Sequence, residues 1–185
     1  MFITYLSSSP YWAFHSILFL LKSPLLREVL VGCDIVLKEL YIHYMREALI
    51  EAGISASEGN VPVGALVVCN GDIIGRGHNQ KSNDPTEHAE IMAIRDACSK
   101  RNHWKLQGCT IYVTLEPCPM CAGAIVQARL DKIVYGASDP KAGACGTLYD
   151  IPGDTRLNHR CSIIKGILAQ ESIVMLREYF LKRRS

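Results

Sequence analysis

The chain has 185 residues, of which 49% are apolar and 21% charged, and its formal net charge is +2. That length fits one globular domain with its own core, and the composition excludes both disorder over most of the chain and a polytopic membrane protein. The near-neutral total neither demands nor excludes a nucleic-acid partner, because a local basic patch is what meets phosphate. Eight cysteines, at positions 33, 69, 98, 109, 118, 121, 145 and 161, are the unusual feature. Disulfide frameworks belong to short secreted chains. In a chain of this length a Cys-x-x-Cys pair points instead to metal or redox chemistry.

The first 21 residues carry no Lys, Arg, Asp or Glu, and the run Tyr11 to Leu21 is apolar. Ser7 to Ser9, Pro10 and His15 interrupt the stretch, and it has neither a basic start nor an Ala-x-Ala cleavage pattern. Neither a membrane span nor an export signal is expected. Residues 1–38 read as an apolar N-terminal extension, either poorly ordered or ahead of the true translation start, in front of one domain over residues 39–185.

From Glu39 the pattern becomes regular. Tyr41, Met45, Ala48, Leu49 and Ala52 recur at helical spacing, with Gly53 as the expected stop. Val63 to Cys69 reads as a buried strand, Asn70-Gly71 as a hairpin turn and Asp72 to His78 as the returning strand. Asn79 to Thr86 reads as a loop, and His88 to Lys100 as a helix. Thr110 to Leu115 is the third strand. Pro119 to Leu130 is a helix with proline in its first turn, and Lys132 to Ala137 is the fourth strand. Ser138 to Arg160 holds five Gly or Pro residues and reads as loop with short helical pieces. Ser162 to Leu168 is a weaker strand interrupted by Gly166. Ala169 to Arg184 is a terminal helix with Ile173, Leu176 and Phe180 as its core stripe. Strands alternating with helices predict an α/β fold whose sheet is covered on both faces.

Two segments carry chemistry: His88-Ala89-Glu90 and Pro117-Cys118-Pro119-Met120-Cys121. Each falls where a predicted helix starts. Residues three apart share a helix face, so Cys118 and Cys121 can grip one ion, and a helix N-terminus favours thiolate. His88 adds a nitrogen if its helix runs alongside. One nitrogen and two sulfurs suit zinc and leave a fourth position open, as catalytic zinc sites do. Such a site lowers the pKa of water towards neutrality, and Glu90 is placed to move its proton. Other readings remain open at this point. The Cys-x-x-Cys pair alone fits a redox couple or half of a structural zinc site completed by Cys98, Cys109, Cys145, Cys161, His78, His103 or His159. The six cysteines outside the pair read as small core or surface residues.

The His-x-Glu and Pro-Cys-x-x-Cys segments resemble the zinc-dependent cytidine/deoxycytidylate deaminase superfamily. The match narrows through Pro62-Val63-Gly64-Ala65, His78-Asn79, Asp84-Pro85-Thr86-Glu87-His88-Ala89-Glu90, Thr114 to Ala124, Asn158-His159-Arg160 and the basic end Phe180 to Arg184. Together these resemble the family of bacterial tRNA-specific adenosine deaminases over Tyr41 to Arg184. The resemblance implies a three-layer α/β/α sandwich with a central mixed five-stranded sheet, a cytoplasmic homodimer and conversion of adenosine to inosine at the tRNA wobble position. It implies one zinc ion per subunit on His88, Cys118 and Cys121, Glu90 as proton shuttle and Asn79 on the purine. Arg177, Lys182, Arg183 and Arg184 are candidate RNA contacts. A deaminase acting on free guanine or a pyrimidine, and a non-catalytic zinc-stabilised RNA-binding module, are the alternatives.

Overall fold

The computed structural model describes residues 24–80 and 84–183, with side chains from residue 35. The apolar run Tyr11 to Leu21 and Arg184 lie outside the described residues. Contacts divide the chain into two units, Met1–Leu40 and Tyr41–Ser185. In the first, Ile35, Val36, Leu37 and Leu40 are exposed. Among the described residues no helix is long and apolar enough to cross a membrane.

In the second unit, β1 (Gly64–Cys69) and β2 (Asp72–His78) form an antiparallel hairpin. Asn70 and Gly71 turn it with φ of 51° and 88°. Two successive left-handed residues give the turn whose twist matches that of paired strands, which is why Asn-Gly is its signature. β3 (Cys109–Leu115) pairs antiparallel with β1, while β4 (Lys132–Ala137) and β5 (Ser162–Lys165) add in parallel, giving the order β2-β1-β3-β4-β5. The expected mixed five-stranded sheet is therefore present.

Side chains on these strands alternate between two cores, as the period of a strand requires. Ala65, Val67, Ile111, Val113, Ile133 and Tyr135 face helices α2 (Ala89–Arg101) and α3 (Pro119–Gln127). Leu66, Val68, Tyr112 and Val134 face Tyr44, Met45 and Ala48 of α1 (Pro24–Ser57). Helix α4 (Ala169–Lys182) lies on the α1 side, where the Ser172 hydroxyl stands over Gly136. Helices on both faces complete the three layers.

Two glycines of β2 set the position of α2. A Cβ on Gly75 would stand 2.3 Å from the Ala93 carbonyl oxygen, and one on Gly77 would stand 2.4 Å from that of Ala89. With Ala89, Ala93 and Ala97 buried opposite them, helix backbone rests directly on strand backbone.

Four expectations need correction. Helix α1 does not stop at Gly53 but runs to Ser57. Gly53 faces open space, while Ala52 and Ser55 on either side are buried, so packing outweighs the ~1 kcal/mol that glycine costs in a helix. Helix α3 ends at Gln127 rather than Leu130, because Arg129 takes a left-handed φ of 61°. The segment from Ser138 to Arg160 forms turns and one isolated bridge, Cys145 with Asp150, and no helical piece. The stripe on α4 is core only in part: Leu176 packs against the core and Ile173 is half-buried, but Phe180 is 47% exposed.

Candidate metal centre and active-site cleft

β2 runs parallel to β3, since each is antiparallel to β1. The carboxyl ends of β2 and β3 therefore share one edge of the sheet, the usual place for a site in an α/β fold. The loop after β2 leads to His88, the N-cap of α2. The turn after β3 leads to Cys118, the N-cap of α3, followed by Pro119 at the first helical position. Neither cap residue uses its side chain to cap its own helix. Both side chains are thus free to converge.

They converge with Cys121. His88 Nδ1 lies 3.7 Å from Cys118 Sγ and 3.6 Å from Cys121 Sγ, and the three donor atoms all lie within 4.8 Å of one another. A tetrahedral zinc with ordinary Zn–N and Zn–S bonds requires N···S edges of about 3.6 Å. The donor set therefore fits that ion in both chemistry and spacing. Among the described residues this is the only such group of three or more His, Cys, Asp or Glu donors.

The electrostatics at the two thiols diverge. Hydrogen bonds from Cys121 and His88 pull the Cys118 thiol down to about 4, against the opposing effect of burial. The Cys118 thiolate and burial push the Cys121 thiol up. A dication between them would reverse the second effect, since a coordinating thiol is deprotonated. Glu90, the second residue of α2, is 4% exposed. Burial pushes its carboxyl up to about 7.

A cleft of about 320 Å³ opens beside His88, lined among others by Asn60, Val61, Asn79, Glu87, Tyr179 and Arg183. Its walls are braced from α1: Ser55 Oγ lies 2.9 Å from the carbonyl oxygens of both Val61 and Asn79. The Asn79 side chain lines the cleft and also holds it together, accepting from the Ala89 N–H at 2.9 Å and donating to the Val61 carbonyl at 3.2 Å. One amide hydrogen and one lone pair remain for a ligand. The Asp84 carboxylate accepts from the Thr86 N–H and hydroxyl at 2.8 and 2.6 Å, folding the turn that precedes His88. Those bonds hold its carboxyl below its ordinary value.

The basic end of α4 divides. The Arg183 guanidinium stacks 4.7 Å from the Tyr179 ring centre and donates to the Gly59 carbonyl, which also accepts from the Tyr179 hydroxyl at 3.0 Å. Arg177 is exposed and lines a separate apolar groove with Ile173, Leu176 and Phe180. Lys182 is exposed at the helix end. None of the alternative fourth ligands belongs to the His88 cluster. His78 instead faces Glu51 at 3.1 Å and Glu58 at 3.3 Å, and His159 meets the Leu130 carbonyl at 2.7 Å.

One residue near the site is not singled out as a candidate by sequence, although it lies within the matched segment Thr114 to Ala124. Glu116 reads as a strand breaker before Pro117, yet it is buried. Its carboxylate accepts from the N–H groups of Asp139, Cys145 and Thr147 at 3.0, 3.0 and 3.1 Å, and from the Thr147 hydroxyl. Ala144 also donates to the Pro117 carbonyl at 2.8 Å. The loop after β4 is thereby tied to the turn bearing Cys118.

This sheet order, with a His/Cys/Cys cluster on two helix N-termini beside a buried carboxylate, is the arrangement of cytidine-deaminase-like deaminases. Residues 41–172 match the MafB19-like deaminase family. The chain is 46% identical over 143 residues to the tRNA-specific adenosine deaminase of Bacillus subtilis, covering 76% of this chain and 89% of that one. It is 43% identical over 144 residues to the tRNA-specific adenosine deaminase of Streptococcus pyogenes, covering 77% and 91%. A solved structure described as a study of A-to-I editing by tRNA:A34 deaminases at the wobble position of transfer RNA matches with a TM-score of 0.70 at 40% identity, covering 72% of this chain and 99% of that one. The chain belongs to the MafB19-like deaminase family and to the family of the tRNA-specific adenosine deaminases.

Proposed function

We propose that residues 39–185 form a zinc-dependent deaminase domain that converts adenosine to inosine at the wobble position of a tRNA anticodon. The observation that carries this reading is the convergence of His88 Nδ1, Cys118 Sγ and Cys121 Sγ at zinc-compatible spacing beside buried Glu90, in a chain of this family. His88, Cys118 and Cys121 hold one zinc ion per subunit. When bound, zinc supplies a water activated near neutral pH. Anticodon-loop bases are unpaired, so the target adenine enters the cleft at small energetic cost. Asn79 orients the purine with its remaining amide hydrogen and lone pair. Glu90 takes a proton from the attacking water and delivers it to ring N1 as C6 becomes tetrahedral. It then takes the proton of the new C6 hydroxyl and passes it to the departing amino group, so that the C6–N bond breaks, ammonia leaves and inosine remains.

RNA is favoured over a free base by the wall opposite His88. Tyr179 offers an aromatic face and Arg183 a cation at the cleft mouth, the pair that unstacked nucleotides use. Asn60 Oδ1 and Glu87 Oε2, both buried on the cleft lining, lack hydrogen-bond partners and call for donor groups on the bound nucleotide. Arg177, Lys182 and Arg184 belong to the same basic end and contact phosphate. Exposed Met120, Leu148 and Tyr149 support a homodimer, which sedimentation would test. The free thiols of the described cysteines fit a cytoplasmic, reducing setting.

Incubating the protein with an anticodon stem-loop, free adenosine, cytidine and guanine, and measuring inosine and ammonia, tests the reading. Inosine from the stem-loop alone is expected; ammonia from guanine or cytidine alone would replace it with the small-molecule alternative, and no product with tight RNA binding would favour the non-catalytic module. Glu90→Ala should lower turnover by about 10²–10⁴-fold while zinc stays bound; normal turnover would end the shuttle assignment. Arg183→Ala should weaken stem-loop binding and reduce the salt slope of log Kd by about 0.7–0.9, measured by titration at several salt concentrations. An unchanged slope would remove Arg183 from the phosphate contacts.

A further inference from the structure

Two cysteines outside the metal centre face each other at the far end of β3. Cys69, the last residue of β1, is the direct cross-strand partner of Cys109, the first residue of β3. Their side chains share the α2 face of the sheet, in register with Val67 and Ile111.

The kind of pairing matters. The Cys109 carbonyl accepts from the Asp131 N–H, and the Cys109 N–H donates to the Leu106 carbonyl. Both main-chain groups therefore point away from β1, which makes Cys69 and Cys109 a non-hydrogen-bonded pair. Such pairs bring Cα atoms to about 4.5 Å, with side chains in closest approach. That lies within the roughly 4.4–6.8 Å range that a disulfide spans.

The surroundings assign different parts to the two sulfurs. Cys69 is half-buried at the hairpin end and can be reached from solvent. Cys109 is buried, and the guanidinium of exposed Arg101 donates to its Sγ at 3.1 Å. Burial and the neighbouring thiol push Cys109 up to about 12. Cys69 is therefore the sulfur that a reagent from solvent meets first, and Cys109 the buried one that follows.

We propose that Cys69 and Cys109 form a dithiol modification site that exchanges with low-molecular-weight disulfides to give an intrasheet disulfide. Cys69, having lost its proton to solvent, attacks one sulfur of the small disulfide. That S–S bond breaks, and one thiol leaves after taking up a proton. Cys109 then loses its proton to solvent, with its thiolate held by Arg101, and attacks Cys69 Sγ, expelling the second small thiol. Two protein thiols are oxidised, and one small disulfide is reduced to two thiols. The new bond closes a ring from residue 69 to residue 109, which contains His88 and Glu90 and leaves Cys118 and Cys121 outside. It forms at the end of β3 opposite the metal centre, so oxidation is expected to leave zinc and activity in place.

The test treats zinc-loaded protein with oxidised glutathione, blocks remaining thiols with N-ethylmaleimide and maps peptides by mass spectrometry. A Cys69–Cys109 linked peptide two hydrogens lighter than its parts is expected, with zinc retained. Closing a ring of this size should raise the Tm by about 5–10 °C. The Cys69→Ser protein should keep its activity and lose both the linked peptide and the Tm response. Glutathione remaining on Cys69 without a link, a Cys118–Cys121 link with zinc release as the first product, or a Tm response that survives Cys69→Ser would each overturn the proposal.

Discussion

β3 begins at Cys109 and leads to Cys118, and these two cysteines live under opposite conditions. Cys118 caps a helix, is half-buried, and has its thiol pulled down to about 4 by Cys121 and His88. Cys109 sits inside a sheet, is buried, and is pushed up to about 12 even with a guanidinium on its sulfur. A helix N-terminus offers unpaired N–H groups and a positive dipole end to a thiolate. A strand has its N–H groups committed to neighbours and leaves the Cys109 sulfur in a buried setting with Arg101 as its charged neighbour. One residue type is thus a candidate ligand at one end and a latent thiol at the other, and the side chains and burial around each decide which.

The largest effect should come from removing the ligand. Cys118→Ser is expected to leave little bound zinc by elemental analysis and to lower deamination by more than the ~10²–10⁴-fold expected for a lost proton shuttle; a fully zinc-loaded, active variant would break the contrast outright. The next effect is kinetic. After a chelator has stripped the metal, iodoacetamide at pH 6 should label Cys118, which is thiolate above about pH 4. It should leave Cys109 untouched until the pH nears about 12. Peptide mapping should show labelling rates separated by orders of magnitude, and comparable rates would mean that these surroundings do not set the difference. The smallest effect sharpens the account of His88. Gly77→Ala places a Cβ against the Ala89 carbonyl and should destabilise by about 1–3 kcal/mol as α2 lifts. It should also weaken zinc binding, because His88 moves with the helix while the cysteines do not. Calorimetry beside a zinc titration reads both, and a lower Tm with unchanged zinc affinity would separate fold from site.

The parts of the molecule that sequence pattern revealed are those whose cause is local. Asn70-Gly71 announces its turn because few other pairs adopt two left-handed conformations. The His88 and Cys118 segments announce a site because ligand chemistry requires those residue types at helix starts. What stayed hidden depends on distant partners. The continuation of α1 past Gly53 is set by Ser55, whose hydroxyl reaches the carbonyls of Val61 and Asn79. Phe180 fits a core stripe by spacing, and it is exposed because the groove beside it is not filled by any other described element. Glu116 looked like a break in a strand because its partners lie more than twenty residues further along the chain.

Glu116 has a wider consequence. The loop it holds carries Cys145, whose thiol is pushed up by burial and then by the charges of Glu116 and Glu90. Three N–H groups and a hydroxyl converge on one buried carboxylate, two residues before Cys118. A loop held in that way does not wait for a ligand to take its shape. Its ordering entropy is settled when the protein folds, so the turn bearing Cys118 is braced before anything binds there.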